Sequence, residues 1–308
     1  MREEIILDVD TGHDDAVAIC LACAANEVKV LGITTVAGNS TIDNTTNNTL
    51  KVLTLLKETN VPVARGCHKP LIRPLVTAEN IHGKSGLDGA ELPSPQITPI
   101  KMHAVNFLID TLRTHDNPIT IVATAPLTNI ALMFALAPDI ALKIKRIVLM
   151  GGAICGGNRS ACAEFNIYVD PEAAKIVFES GVPITMVGLD VTEKTVLMEE
   201  EIRKLFQSET FQNLMLFYAQ RRAMARGLAG AVFHDAVAVA SVIDPDLLRT
   251  EALPVAVEIG GSVTRGMTVV DRRAKRAELI GNIIDVAVDI DVSRFKEILS
   301  HYIKTLGI

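Results

Sequence analysis

The sequence predicts an α/β fold: an open, mainly parallel sheet flanked by helices. Three observations carry this. Short apolar runs rich in β-branched residues recur without alternating, as strands covered on both faces do. Stretches with helical spacing separate them, the rhythm of successive β-α-β crossovers. Four aspartates directly follow the first run, at the carboxyl end of a strand, where such sheets place their ligands.

In order, IIL at 5 to 7 opens the sheet and a helix follows over 14–25. Strands at 28–36 and 61–65 flank a helix at 43–58, and a helix at 101–115 leads to a strand at 119–124. The helix at 127–136 precedes a strand at 147–152. The next helix, 171–180, is introduced by DPEAA, whose Pro171 suits a first helical turn. VPITMVGL at 182 to 189 closes this alternation. Beyond Asp190 the texture changes: a polar segment at 193–213, a helix to about Arg226, a Gly/Ala patch and a helix from about His234. Strands at 255–259, 267–271 and 286–291 and a closing helix complete the chain. No Pro/Gly/Ser linker interrupts it, so residues 1–308 read as one domain.

Composition mainly excludes. Thirty basic against thirty-six acidic residues give a net charge of -6, which offers no electrostatic footprint for nucleic acid. Five cysteines at Cys20, Cys23, Cys67, Cys155 and Cys162 form no paired framework and point to a reducing cytoplasm. Cys20 and Cys23 form a CxxC on an apolar helix and read as packing. No apolar run reaches the roughly 20 residues that span a bilayer, and the N-terminus lacks signal-peptide character. There is no tryptophan, so no site here stacks on an indole.

The strongest chemical signal is DVDTGHDD at 8 to 15. Carboxylates this crowded raise one another's pKa unless a counter-charge intervenes, and a hard divalent cation, Ca²⁺ or Mg²⁺, is the economical one. The spacing is not that of an EF-hand, because Ile19 stands where the bidentate glutamate belongs. A bland reading keeps Asp14 and Asp15 as first-turn residues favoured by the helix dipole. A rival reading takes DVDT as the phosphoaspartyl motif of haloacid-dehalogenase-like phosphatases, with Asp8 as nucleophile and Asp10 as acid/base.

The other strand ends supply VAGN at 36 to 39, ATAPLTN at 123 to 129, LMGG at 149 to 152, GNRSACAEFNIYVDPEAA at 157 to 174 and FHDA at 233 to 236. With the aspartate cluster, in this order, they make the chain resemble the inosine-uridine nucleoside hydrolase family over essentially its whole length. The resemblance implies cleavage of the N-glycosidic bond of ribonucleosides, to ribose and free base, in nucleoside catabolism. It implies one Ca²⁺ held by Asp10, Asp15, the carbonyl of Thr124 and Asp235, with Asp10 also activating a calcium-bound water. It further implies that Asp14, Asn39 and Asn166 contact the ribose 2′ and 3′ hydroxyls or the water, that Asn158 and Glu164 hold the 5′ hydroxyl, and that Met150 lies against the sugar. A homo-oligomer, dimer or tetramer, is also implied.

At the base, His234 matches the family's proton-donating position, and His82 resembles a second histidine of members that accept pyrimidine nucleosides or inosine and uridine. The missing tryptophan disfavours the purine-specific subclass. Gly83, Gly86 and Gly89 suggest a flexible flap around His82. Two departures stand out. Ala125 replaces a glycine beside the proposed carbonyl ligand, and Arg222 and Arg226 occupy places where a tyrosine or glutamine is usual. Those arginines are either a solvated helix face or base contacts. Asn129, Asp170 and Asp190 read as caps or sheet-end hydrogen bonders. A non-catalytic nucleoside-binding protein is the remaining alternative.

Overall fold

The computed structural model describes residues 2–273 and 280–308. The first half alternates as β1 (Glu3–Val9), α1 (His13–Ala24), β2 (Val28–Thr35), α2 (Ile42–Leu55), β3 (Val63–Arg65), α3 (Glu79–His82), α4 (Ala104–Thr114), β4 (Ile119–Ala123) and α5 (Thr128–Leu136). A 3₁₀ turn at Pro138–Lys143 leads to β5 (Ile144–Met150), α6 (Phe165–Val169), α7 (Pro171–Phe178), β6 (Ile184–Val187) and α8 (Leu189–Thr192). The remainder comprises β7 (Val196–Leu197), α9 (Glu199–Leu205), α10 (Glu209–Arg226), β8 (Ala231–Val232), α11 (His234–Ile243), β9 (Leu248–Val257), β10 (Thr268–Val270), β11 (Asn282–Ile290) and α12 (Val292–Leu306).

Among the described residues nine strands form one sheet in the order β10-β9-β11-β6-β5-β4-β1-β2-β3, and β7 pairs with β8 in a separate two-stranded ribbon. From β3 to β11 every neighbouring pair is parallel, while β9 runs antiparallel to β11 and β10. The expected open, mainly parallel sheet is therefore what forms. Helices cover both faces. Ile5, Leu7 and Val9 of β1 join one core cluster with Ile19 of α1, Val239 of α11 and Leu299 of α12. Ile6 of the same strand points the other way and joins Leu108 of α4, Ile130 of α5 and Val177 of α7. That period-two division explains why the runs had to be apolar throughout.

The chain runs from β1 outward to β2 and β3, then returns to place β4 on the other side of β1. The connections after β1 and β4 thus diverge, opening a crevice at the carboxyl ends of these two strands. Among the described residues no helix is long and apolar enough to cross a membrane.

Candidate active site

The floor of the crevice is built by the turn between β1 and α1. Gly12 caps α1, and its N–H donates to Asp15 Oδ2 at 2.9 Å. This aims Asp14 and Asp15, in the first helical turn, back toward the strand ends. Asp235 arrives the same way, in the first turn of α11. Asp10 is gripped by the loop after β2: the Asn39 N–H donates to its Oδ2 at 2.6 Å and Asn39 Nδ2 to its Oδ1 at 3.2 Å. Gly38 permits this approach, since a Cβ there would sit 2.0 Å from Asp10 Oδ2. Asn39 Nδ2 also lies 3.3 Å from Asp15 Oδ2, and Thr124 Oγ1 donates to Asp15 Oδ1 at 2.8 Å.

Asp14, Asp15 and Asp235 each offer a carboxylate oxygen within 4.8 Å of the other two, all three side chains being buried. Burial pushes the carboxyls of Asp10, Asp14, Asp15 and Asp235 up, and for Asp10, Asp14 and Asp235 neighbouring carboxylates push them further. The hydrogen bonds from Gly12, Asn39 and Thr124 offset this only in part, and Asp235 is opposed by every neighbouring acid. A set of buried hard oxygen donors with no positive partner among the described residues is what a divalent cation relieves, so the residues fit one. The tight triad contains Asp14, whereas the sequence assigned Asp10, Asp15 and Asp235. Asp10 and Asp15 lie behind the cavity wall and Asp14 and Asp235 form part of it.

Above this floor is a cavity of about 390 Å³. One wall comes from the segment after β5. Asn166 Nδ2 donates to the carbonyls of Thr124 (3.0 Å) and Met150 (3.1 Å), tying α6 to the ends of β4 and β5. The Thr124 carbonyl keeps a second lone pair, and Ala125 is accommodated fully buried beside it. Glu164 caps α6, accepting from the N–H groups of Asn166 (2.9 Å) and Ile167 (3.1 Å), and also from that of Gly152 (3.1 Å). Burial nevertheless raises its carboxyl. Asn158 Oδ1 accepts from the Phe165 N–H at 2.7 Å. Thr124, Met150, Asn158, Glu164 and Asn166 all face the cavity.

The opposite end carries the aromatic and cationic groups. His82, on α3, stacks on His13 and on Tyr218 of α10, with ring centroids 5.3 and 5.5 Å apart. Its Nδ1 is 3.0 Å from His13 Nδ1, and the other His13 nitrogen donates to the Asp88 carbonyl at 2.8 Å. Gly12 is again required, because a Cβ there would come within 2.7 Å of His82 Nδ1. Within the segment expected as a flexible flap, Asp88 accepts from the N–H groups of Lys84 (2.9 Å) and Ser85 (3.1 Å). Gly83, Gly86 and Gly89 supply its positive φ values.

His234 Nδ1 lies 2.8 Å from Thr192 Oγ1. Burial, then the guanidinium groups of Arg226 and Arg222, lower its pKa to about 3; burial lowers that of His13 to about 4 and also holds that of His82 well below the usual imidazole range. Arg222 and Arg226 do not form a solvated face: both line the cavity, and Arg222 is 4% exposed.

The cavity thus brings together Asp14, Asn39, His82, Thr124, Met150, Asn158, Glu164, Asn166, Arg222, Arg226, His234 and Asp235. His13 and Tyr218 were not anticipated. Tyr218 stands one turn before Arg222, so its face was readable; His13 sits inside the acidic motif itself, where the aspartates drew all the attention. Asp8, the nucleophile of the phosphatase reading, is fully buried and absent from the cavity wall. It accepts from Thr34 Oγ1 (2.5 Å) and Asn129 Nδ2 (2.8 Å) and serves the sheet. Asp170 caps α7, and Asp190 accepts from the N–H groups of Ile154 (2.6 Å) and Cys155 (3.2 Å).

Comparison with known proteins agrees with this geometry. Residues 5–297 match the family model described as inosine-uridine preferring nucleoside hydrolase. The chain is 45% identical over 300 residues to a pyrimidine-specific ribonucleoside hydrolase, RihA, of Photobacterium profundum, covering 96% of each chain. It is 45% identical over 312 residues to the protein of the same name from Escherichia coli, covering 99% of each. Among solved structures, a purine-preferring ribonucleoside hydrolase from Gardnerella vaginalis superposes with a TM-score of 0.91 at 35% identity, covering 99% of each chain.

Proposed function

The chain belongs to the inosine-uridine preferring nucleoside hydrolase family, and from that premise we propose that this N-glycosidase acts on pyrimidine ribonucleosides and depends on Ca²⁺. The observation that carries the reading is the buried group of Asp14, Asp15 and Asp235, beside Asp10, at the foot of a cavity with amide and carboxyl walls. Ca²⁺ would be held by Asp10, Asp15, Asp235 and the Thr124 carbonyl, with Asp14 at its margin, and would supply a hard positive charge that draws hydroxyl oxygens and lowers the pKa of a water.

The protein groups supply the rest. Asp10, fixed by two hydrogen bonds from Asn39, is the base that takes a proton from the attacking water. Asn39, Asp14 and Asn166 orient the ribose diol, and Asn158 and Glu164 hold the 5′ end. As the C1′–N bond lengthens, positive charge grows on the sugar, and the carboxylate-rich floor favours it. His82, His234, Arg222 and Arg226 meet the base. In place of the proton donation expected of His234, whose protonated form burial and the two arginines disfavour, His82 and His234 act there as hydrogen-bonding groups.

Pyrimidine preference is supported by the names of the relatives at 45% identity and by the lack of tryptophan. That the purine-preferring structural neighbour shares the fold at lower identity supports assigning base choice to the cavity wall. Cytoplasmic residence and a dimer or tetramer complete the reading, and light scattering tests the assembly. Reducing-sugar release from uridine, cytidine, inosine and adenosine, with chelator and with Ca²⁺ restored, tests the function. Faster turnover of uridine or cytidine that requires Ca²⁺ is expected; preference for adenosine, or full activity in chelator, overturns the respective part.

A further inference from the structure

Resting on that reading, we infer that Arg222 is the group that receives the negative charge of the departing base. Two arginines line the base end, but their circumstances differ. Arg226 Nη1 lies 3.1 Å from Glu193 Oε1, so its charge is compensated. Arg222 is 96% buried and forms no ion pair within 4 Å among the described residues, so Glu193 acts on it only at longer range. Its Nη1 donates to the carbonyls of Ala229 (3.0 Å) and Gly230 (3.4 Å), which aim the guanidinium without neutralising it. Its Nε is buried with no hydrogen-bond partner among the described residues. A buried cation held this way is costly unless something anionic meets it in the working state.

The step it serves is heterolysis. A water oxygen bonds to C1′ while the C1′–N bond breaks, and the bonding electron pair stays on the base. The water's proton passes to Asp10. The base leaves as an anion whose charge spreads onto a ring carbonyl, meets the guanidinium, and takes its proton from solvent after release. A permanently charged planar donor suits a carbonyl-bearing base anion, in a cavity where fixed dipoles and charges act more strongly than in water. The favoured substrates are ribonucleosides of bases with a ring carbonyl, such as uracil and cytosine. The histidines then position the ring.

The test compares uridine with 4-nitrophenyl β-D-ribofuranoside, whose leaving group departs without assistance. Arg222→Gln is expected to lose about 100-fold or more in kcat for uridine and less than about 10-fold for the aryl riboside, with an unchanged melting midpoint. Guanidinium chloride at millimolar concentration is expected to restore uridine turnover in Arg222→Ala, and Arg222→Lys to retain more of it than the glutamine variant. Equal losses on both substrates, or no loss on uridine, overturn the inference. If Arg222→Ala and Arg222→Gln do not fold, the lysine variant decides: an unchanged ratio of uridine to aryl-riboside turnover overturns it. Failure of the wild-type protein to cleave either riboside would instead overturn the proposed function.

Discussion

Replacing Asp235 by asparagine should make the protein more stable in the absence of metal and inactive in its presence. Asp235, Asp14 and Asp15 have carboxylate oxygens within 4.8 Å of one another. At that distance and an effective dielectric constant near 20, each ionised pair costs about 3.5 kcal/mol. The raised carboxyls shed part of that charge by holding protons, so the relief from deleting one is smaller, about 1–3 kcal/mol. Asp235 is the member to remove, because Asp15 accepts from Gly12 and Thr124 whereas burial and the carboxylates of Asp14, Asp15, Asp10 and Glu164 all oppose the charge of Asp235. Asparagine has the same shape and brings donors to its acidic neighbours. For a chain of this size about 2 °C of melting midpoint corresponds to 1 kcal/mol, so calorimetry in chelator should show Asp235→Asn melting about 2–6 °C above wild type. Added Ca²⁺ should raise the wild-type midpoint by mass action and leave the variant nearly unmoved, with turnover lost. A variant that melts below wild type in chelator, or that keeps the full Ca²⁺ shift, refutes the reasoning. Such a trade of stability for function is common where like charges are held together.

Three further outcomes are expected. Gly38→Ala places a methyl 2.0 Å from Asp10 Oδ2, so it should lower kcat for uridine by about 100-fold or more while circular dichroism stays native; unchanged kcat would show that Asp10 need not sit where Asn39 holds it. Asp170→Ala removes the acceptor for the Ala173 N–H at 3.1 Å, the Leu71 N–H at 2.9 Å and Thr128 Oγ1 at 2.7 Å, and should cost about 2–4 kcal/mol in urea unfolding, with a loss under 0.5 kcal/mol counting against it. Burial pushes the Cys23 and Cys67 thiols up to about 12 and raises that of Cys20 well above the usual thiol range. Iodoacetamide at pH 8 should therefore label exposed Cys155 first and spare those three, as mass spectrometry of the native protein would reveal.

The parallel half of the sheet was legible because strands covered on both faces must be apolar at consecutive positions, as Ile5, Ile6 and Leu7 are. The C-terminal strands were harder. β9 and β11 each begin well before their apolar cores, through half-exposed stretches such as Arg249–Glu251 and Asn282–Ile283 that only antiparallel pairing organises. The two-residue strands β7 and β8 carry no periodicity at all. At the site, a contiguous motif announced the carboxylates, but not which three oxygens meet, since that depends on where α11 delivers Asp235. The division of labour between Arg222 and Arg226 was beyond reach, because Glu193, which separates them, lies 33 residues from Arg226 and on another element. His13 was hidden for a similar reason: its partners, His82, Asp88 and Tyr218, come from two distant segments.

Neighbouring residues of a single helical turn face opposite duties: His13 joins the stack at the base end, and Asp14 and Asp15 face the acidic floor. Anyone regrafting residues 77–89 to change base preference therefore also handles the scaffold of the carboxylates. A transplanted loop must return a ring to position 82 and a carbonyl to the place of Asp88, or His13 is released and the turn that aims the acids loosens with it. Selectivity and catalytic power are mechanically geared in this protein, and exchange of the loop should be accompanied by retuning of α1.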